Sequence, residues 1–320
     1  MRALVTGGSG FIGSHLIKYL MSKGYEIRAI VRRKSSAEIL EKIGCEVMIA
    51  DIKDSASLSG VMDGIDYVFH LAGEITSRNK KTMWSSNVVG TENLLKESLK
   101  SKIKRFIFAS SISVMGSTGG LVADEDIAAA IPKNDFYSVT KLEAEKLCQK
   151  YFKDYNVPVV ILRFPGVYGQ NNLMIERFYK FVKMGVMPYL GNGETYLSWV
   201  YLNDIVNVME KCTNHNNCCG EIFILCDDEP VKMRDFIDNL CLFLYGRKPA
   251  WKIPTRAIKF MASMIECGAK ILGRKPAASR YFVNYICEDH IYSNAKAKSI
   301  LGFKPSYNDS LSGMIEAIKK

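Results

Sequence analysis

The sequence predicts an α/β fold: a doubly wound parallel sheet with helices on both faces, followed by a smaller, mostly helical C-terminal part. Two observations carry this prediction. Arg2-Ala-Leu-Val-Thr6 has strand character and runs straight into three spaced glycines, Gly7, Gly10 and Gly13, that open an apolar helical pattern. Strand-like and helix-like segments then alternate over roughly 160 residues, the rhythm of a parallel sheet whose crossovers are helices.

Taken in order, Ile12, Leu16, Ile17 and Leu20 line one face of the first helix, which Gly24 ends. Residues 25–31 form a β-branched second strand, so the chain from Arg2 to Val31 is a βαβ unit. Strands three and four are expected at 45–50 and 66–71, with helical segments around 36–43 and 55–63. A long helix over 82–102 leads to a strand at 105–109, and a helix over 135–155 leads to a strand at 157–162. Beyond Gly169 the rhythm loosens into a helix at 173–184, a turn-rich stretch at 187–193 and a short strand at 199–201. A helix over 203–213 with Asn203 as its cap and a strand at 221–225 follow. The remaining helices are expected near 232–245, 254–272, 276–286, 294–301 and 308–319. The implied organisation is a dinucleotide-binding (Rossmann) domain over 1–169, to which the chain returns near 200–226. A discontinuous substrate-binding lobe would occupy 170–320.

Composition narrows the function classes. An apolar share of 48% over 320 residues supports a sizeable core and argues against disorder. Met1 leads directly into a strand, so no signal peptide is expected and a cytoplasmic location follows. No run of about 18 uncharged apolar residues occurs, so no spanning helix is expected. The nine cysteines are odd in number and form no CxxC pair, which points to free thiols. The four histidines are dispersed, and no metal site is expected. The net charge of +10 is spread in short clusters without aromatic interleaving, so nucleic acid is not an expected partner. Attraction to anionic cofactor and substrate phosphates, or plain solubility, explains the charge. The stretch 253–273 places Ile258, Met261, Ala262, Ile265, Ala269 and Leu272 on one helical face. Packing on the lobe is the expected use of that face, and contact with a lipid-like substrate or a membrane is the alternative.

Three features carry chemistry. The glycine turn between a strand and a helix presents bare backbone N–H groups at a helix N-terminus, a ready site for pyrophosphate. Gly7 suits the tight turn, Gly10 lets the backbone approach phosphate, and Gly13 lets the helix pack close to the strand. Tyr137-Ser-Val-Thr-Lys141 sets a phenol and an ammonium one helical turn apart. A phenol of pKa about 10 becomes a useful acid–base group when a neighbouring cation favours its phenolate. Upstream, the strand at 105–109 runs into Ser110, Ser111 and Ser113, and a hydroxyl at a strand's carboxyl end can hold a reacting oxygen near Tyr137.

With these residues in order, the chain resembles an extended short-chain dehydrogenase/reductase of the NAD-dependent epimerase/dehydratase type. The resemblance spans nearly the whole chain. It rests on Thr6-Gly7-Gly8-Ser9-Gly10-Phe11-Ile12-Gly13, Asp51-Ile52, His70-Leu-Ala-Gly73, Asn87-Val-Val-Gly-Thr91, Ser110-Ser111, Tyr137 with Lys141, Arg163-Phe-Pro-Gly-Val-Tyr-Gly169 and Asn294-Ala-Lys-Ala-Lys-Ser-Ile-Leu-Gly-Phe303. It implies that Thr6, Phe11, Ile12 and Asn87 belong to the cofactor site, and that Asp51 and Ile52 bracket the adenine. Leu71, Ala72 and Gly73 would border the phosphates and ribose, and Pro165 and Gly166 would face the nicotinamide amide. Counted back from Gly116, Ser111 takes the catalytic serine place, and Lys141 would bind the nicotinamide ribose as well as tune Tyr137. A homodimer through the helices at 82–102 and 135–155 is a further implication.

Departures from the family pattern sharpen the expectation. The acidic residues that sugar-nucleotide dehydratases carry after the catalytic Ser/Thr are replaced by Ile112 and Ser113, which disfavours dehydration. Arg163-Phe-Pro-Gly and Tyr196-Leu-Ser198 stand where the nucleotide-sugar branch has other motifs, so the chain is more similar to the 3β-hydroxysteroid dehydrogenase and dihydroflavonol reductase side. The second strand ends in Arg32-Arg33-Lys34 with no acid, which favours NADP(H) over NAD(H). The leading expectation is an NAD(P)-dependent oxidoreductase acting on a carbonyl or secondary alcohol through Ser111, Tyr137 and Lys141. An epimerase with the same triad is the alternative, and a non-catalytic cofactor sensor a more distant one. Ser113, Asn172, Arg177, Tyr196 and Trp199 are candidates to touch the small-molecule substrate.

Overall fold

The computed structural model describes residues 1–75, 79–127, 131, 132, 135–170, 172, 187–271 and 280–319. The helix expected at 173–184 and the first residues of the one at 276–286 lie outside these. The chain begins with β1 (Arg2–Thr6), α1 (Phe11–Ser22), β2 (Glu26–Val31), α2 (Lys34–Glu41), β3 (Glu46–Ile49) and β4 (Tyr67–His70). Next come α3 (Lys80–Trp84), a π-helical turn (Ser85–Val89), α4 (Gly90–Leu99), β5 (Arg105–Ser111), α5 (Phe136–Tyr155) and β6 (Val159–Phe164). One seven-stranded sheet is built in the order β11-β6-β5-β4-β1-β2-β3, with β11 (Ile222–Ile224) parallel to β6 at its edge. The chain therefore winds outward to β3, returns past β1 to β4, and winds outward again on the other side. The reversal between β1 and β4 opens a crevice at their carboxyl ends, where ligands of such sheets sit.

Except for its partly exposed edge strand β3, the sheet is buried on both faces, as expected of an all-parallel sheet. Along β1 the period-2 alternation sends Ala3 and Val5 to one apolar cluster with Leu16, Ile17 and Leu20 of α1. Leu4 points the other way, to Leu94 and Leu95 of α4 and Ala144 and Cys148 of α5. Outside the sheet a third cluster gathers Tyr168, Trp199, Phe236, Leu240, Ile286 and Met314. These come from β7 (Gly166–Tyr168), β10 (Trp199–Tyr201) and three helices: α7 (Met233–Tyr245), α9 (Arg280–Ile286) and α11 (Ser310–Lys319). α6 (Leu202–Asn214) packs on α1 and is followed by β11.

Three local expectations are corrected. The segment 55–63 is only a 3-10 turn (Ser55–Leu58), because Gly60 and Gly64 adopt φ of 72° and 70° and end it. The helix expected over 82–102 starts at Lys80, ends at Leu99 and is widened at Ser85–Val89. That extra residue in the turn keeps the Asn87 amide aimed at the loop after β4. Asn203 is no cap: α6 already begins at Leu202, with Tyr201 in the cap position.

One buried ion pair ties the strand side of the crevice to α5. Arg163 on β6 donates from Nε and Nη2 to the two carboxylate oxygens of Glu145 at 3.0 and 2.8 Å, with side chains 7% and 2% exposed. Ser110 of β5 donates to the same carboxylate at 2.5 Å. Breaking one side of such a pair costs on the order of 3–5 kcal/mol, because the other charge is left buried and uncompensated. β5, β6 and α5 are thereby fixed relative to one another, which matters because α5 carries Tyr137 and Lys141.

Candidate active site

The crevice at the switch point is a cleft of about 660 Å³. Its floor is the turn after β1. Gly7 adopts φ of 73°, and a Cβ there would lie 2.8 Å from the Ala72 amide nitrogen. A Cβ on Gly13 would lie 2.2 Å from the Gly7 carbonyl oxygen, so only glycine lets α1 sit this close to the turn. Gly10 occupies the N-cap of α1, no side chain caps that helix, and its first turn holds no acid. The leading N–H groups and the positive end of the helix dipole are thus left for an anionic ligand.

A directional chain of hydrogen bonds holds this turn in place. Thr91 Oγ1 donates to the Asn87 carbonyl at 2.7 Å, so its lone pairs receive the His70 Nε2–H at 2.9 Å. His70 Nδ1 then accepts from Thr6 Oγ1 at 2.7 Å, and Thr6 Oγ1 accepts from the Ala72 N–H at 3.1 Å. His70 is fully buried, and burial, helped by the Lys141 charge, pushes its pKa down to about 3. The ring is a neutral strut with a fixed tautomer. Asn87 continues the chain: its amide nitrogen donates to Thr140 Oγ1 at 3.0 Å, and Thr140 donates to the Tyr137 carbonyl at 2.8 Å.

At the other end of the cleft stand Ser111, Tyr137 and Lys141. Asp135 caps α5 by accepting from the Ser138 N–H at 3.1 Å, which starts the helix just ahead of Tyr137. Ser111 and Tyr137 share a side-chain hydrogen bond. Burial pushes the Tyr137 phenol up to about 12, with the Ser111 hydrogen bond pulling the other way, so the phenol is protonated at neutral pH. The serines at the end of β5 divide the work. Ser110 is taken up by Glu145, and Ser111 by Tyr137 and the Ser113 N–H. The expected Lys–Tyr electrostatic pairing is corrected here. Lys141 Nζ donates to the Ala109 carbonyl at 2.5 Å and lies 4.3 Å from the Phe108 ring centroid. Spacing put both groups on one face, but the long lysine side chain reaches along α5 to the strand. Burial brings Lys141 down to about 8, against the opposing pull of the Glu145 carboxylate.

Most of the other expected residues line the same cleft. Thr6, Phe11 and Ile12 stand with the glycines; Arg32 closes the end of β2; Asp51 and Ile52 flank it. Leu71, Ala72 and Gly73 follow β4, and Pro165, Gly166, Asn172 and Trp199 form the far wall. Gly166 is required by packing, since a Cβ there would lie 2.4 Å from the Trp199 ring. Asp51 is occupied on both oxygens by Lys53, at 3.1 Å from its amide and 3.3 Å from its ammonium.

Four expected residues stand elsewhere, and a fifth is not described. Asn87 is 2% exposed and positions the wall of the cleft instead of forming it. Arg33 is exposed at the N-cap of α2, one residue too far along to line the cleft. Ser113 is buried in the turn after β5, with its hydroxyl unpartnered. Tyr196 lies on a separate surface depression with Asp228 and Asp289, because β9 (Tyr196–Leu197) pairs with β12 (Val231–Lys232) away from the sheet. Arg177 falls outside the described residues. Tyr285 of α9 was missed: it lines the cleft and stacks on His290 with ring centroids 4.2 Å apart. No local motif marks it. Among the described residues no cluster of metal-ligating side chains occurs.

This is the architecture of a nucleotide-dependent enzyme of the α/β class. The chain belongs to the NAD dependent epimerase/dehydratase family, whose model matches residues 3–226. Its relatives fall on two sides. A 3-beta-hydroxysteroid dehydrogenase of Mycolicibacterium neoaurum is 26% identical, with 96% of this chain and 87% of that protein covered. A UDP-glucose 4-epimerase of Vibrio cholerae is 30% identical, with 78% and 77% covered. Among solved structures, the UDP-glucuronic acid 4-epimerase from Bacillus cereus in complex with UDP-glucuronic acid and NAD superposes with a TM-score of 0.76. It is 25% identical and covers 99% of this chain and 97% of that one.

The His70 strut has a testable pH signature. His70 stays neutral in the fold down to about 3, whereas in the unfolded chain it gains a proton near the ordinary imidazole value of 6.5. Stability is therefore lost as pH falls through that window, by at most about 1.4 kcal/mol per pH unit for one proton. His290, lowered to about 4, adds a second loss of the same sign. Urea unfolding between pH 7 and pH 4 should show a shallower dependence in His70→Gln than in the parent chain. Equal slopes would contradict the buried neutral assignment.

Proposed function

We propose that this chain is an NAD(P)-dependent oxidoreductase that moves a hydride between a nicotinamide and a carbonyl or secondary alcohol. The observation that carries the reading is the Ser111–Tyr137 hydrogen bond in the wall of the same cleft as the glycine turn. The cradle suits a dinucleotide: Gly10 and Gly13 let α1 start hard against the Gly7 carbonyl, where a Cβ would come within 3.1 and 2.2 Å of its oxygen, and α1 presents an uncapped N-terminus for pyrophosphate. When bound there, a nicotinamide supplies or accepts the hydride. The residues manage the proton. Ser111 orients the substrate oxygen, and Tyr137, neutral at pH 7, donates to it as negative charge develops. Lys141 adds a buried cation to the wall of the same cleft and, as the family resemblance implies, would hold the nicotinamide ribose. Asn172 and Trp199, from the proposed substrate lobe, would bound the substrate. Ile112 and Ser113 in place of acids support hydride transfer without dehydration.

A second reading, an epimerase that returns the hydride within one cycle, is favoured by the 30% identity to the Vibrio cholerae enzyme. The longer match, across 96% of this chain, is to the hydroxysteroid dehydrogenase, and it supports the reductase.

For the cofactor, NADP(H) is the proposed preference. Arg32 lines the cleft at the end of β2, where the sequence places no acid to take ribose hydroxyls, and the flanking Asp51 carboxylate is held by Lys53. Replacing it, as Arg32→Ala, should lower affinity for NADP(H) relative to NAD(H) by about tenfold or more, the worth of one charge-assisted contact. An unchanged ratio in a titration of both cofactors would reject the preference. Tyr137→Phe should lower turnover by roughly 10²–10⁴-fold while the cofactor still binds. Near-parental turnover in single-turnover kinetics would remove Tyr137 from the reaction.

A further inference from the structure

The helix α8 (Thr255–Ile271) has an apolar arc wider than the surface it buries. Ile258 and Ala262 face inward, against Val283 of α9 and Leu190, Ile253 and Cys287. Further round the same arc, Phe260, Met261, Met264 and Ile265 are 67%, 49%, 60% and 38% exposed. Trp251, just ahead of the helix, is also exposed. A helix that serves only its neighbours turns polar residues outward, not Phe and Met, so this face is made for a contact.

The charge around it says which. In sequence, residues 247–275 hold eight Lys and Arg and a single acid, Glu266, a local net charge of +7. Lys248 pairs with Asp238 at 2.8 Å and Lys259 reaches Glu288 at 3.3 Å; these two external acids leave the stretch strongly positive. A second copy of the chain is a poor occupant, because a two-fold contact would set these like charges against each other. Among the described residues no helix is long and apolar enough to cross a membrane, which leaves α8 to lie along a surface.

We propose that the exposed arc of α8 docks on an anionic phospholipid bilayer, its apolar side chains entering the acyl boundary while the basic flank meets the headgroups. Because α8 packs on α9, and α9 carries Tyr285 into the cleft wall, docking brings the bilayer within one helix of the candidate active site. The inference does not rest on the hydride-transfer reading.

Co-sedimentation of the full chain with phosphatidylcholine vesicles, with and without phosphatidylglycerol, tests it. The expected result is binding to the anionic vesicles that is about tenfold weaker on neutral ones and falls with added salt. Phe260→Ser with Met264→Ser should lose that binding about tenfold while keeping the parental melting temperature, since both side chains stand in solvent. Should that pair fail to fold, Lys252→Glu with Arg256→Glu should lose anionic-vesicle binding alone. Absence of vesicle binding, or retained binding in folded variants, overturns the proposal. So does a concentration-dependent dimer that Phe260→Ser with Met264→Ser dissolves, which would make a second copy the occupant.

Discussion

A chain of hydrogen bonds from Thr6 to Tyr137 sets the frame on which the cleft depends. It begins at the turn that would hold phosphate, passes through His70, Thr91, Asn87 and Thr140, and ends on the backbone of the residue proposed to move the proton. Each hydroxyl both donates and accepts, so the direction of every bond follows from its neighbour. The price is a fully buried imidazole that cannot charge. In return, two ends of a cleft contributed by β1, β4, α4 and α5 are tied to one another.

A second constraint works across the same helix. The Glu145–Arg163 pair and Ser110 hold α5 against β5 and β6 one turn beyond Lys141. The two networks grip α5 from opposite sides of Tyr137 and Lys141. Catalysis of proton transfer needs its donor within hydrogen-bond reach of the substrate, and these buried polar groups would give rigid support to Tyr137 in the proposed role. The surrounding low dielectric then decides the protonation states: a phenol held neutral and an ammonium brought down to about 8.

The fold and the glycine turn at the start of α1 were legible in the sequence because their causes are local. A missing Cβ at Gly7, Gly10 and Gly13 is a steric statement that needs no tertiary knowledge, and strand and helix periods are equally local. Ser111, Tyr137 and Lys141 came from strand-end position, helical spacing and family resemblance, and the cleft contains all three. What escaped was long-range. Thr6 and His70 are 64 residues apart and meet only because β4 lies beside β1. Tyr285 reaches the cleft from a late helix that bears no signature, and Tyr196 misses it because its strand pairs outside the sheet. Lys141 shows the limit of spacing arguments: position on a helix face gives the Cβ direction, while the end of a flexible side chain goes to whichever acceptor burial leaves it.

Net hydride transfer is the central claim, and isotope-labelled reduced nicotinamide tests it most directly. The chain would be given cofactor deuterated at the transferable position, ketone substrates of the sterol-like and nucleotide-sugar classes, and mass spectrometry of the products. The account predicts one deuterium in a product alcohol for each cofactor oxidised, with continuous cofactor consumption. Inversion of a sugar carbinol with no net cofactor consumed would contradict it and establish the epimerase reading in its place.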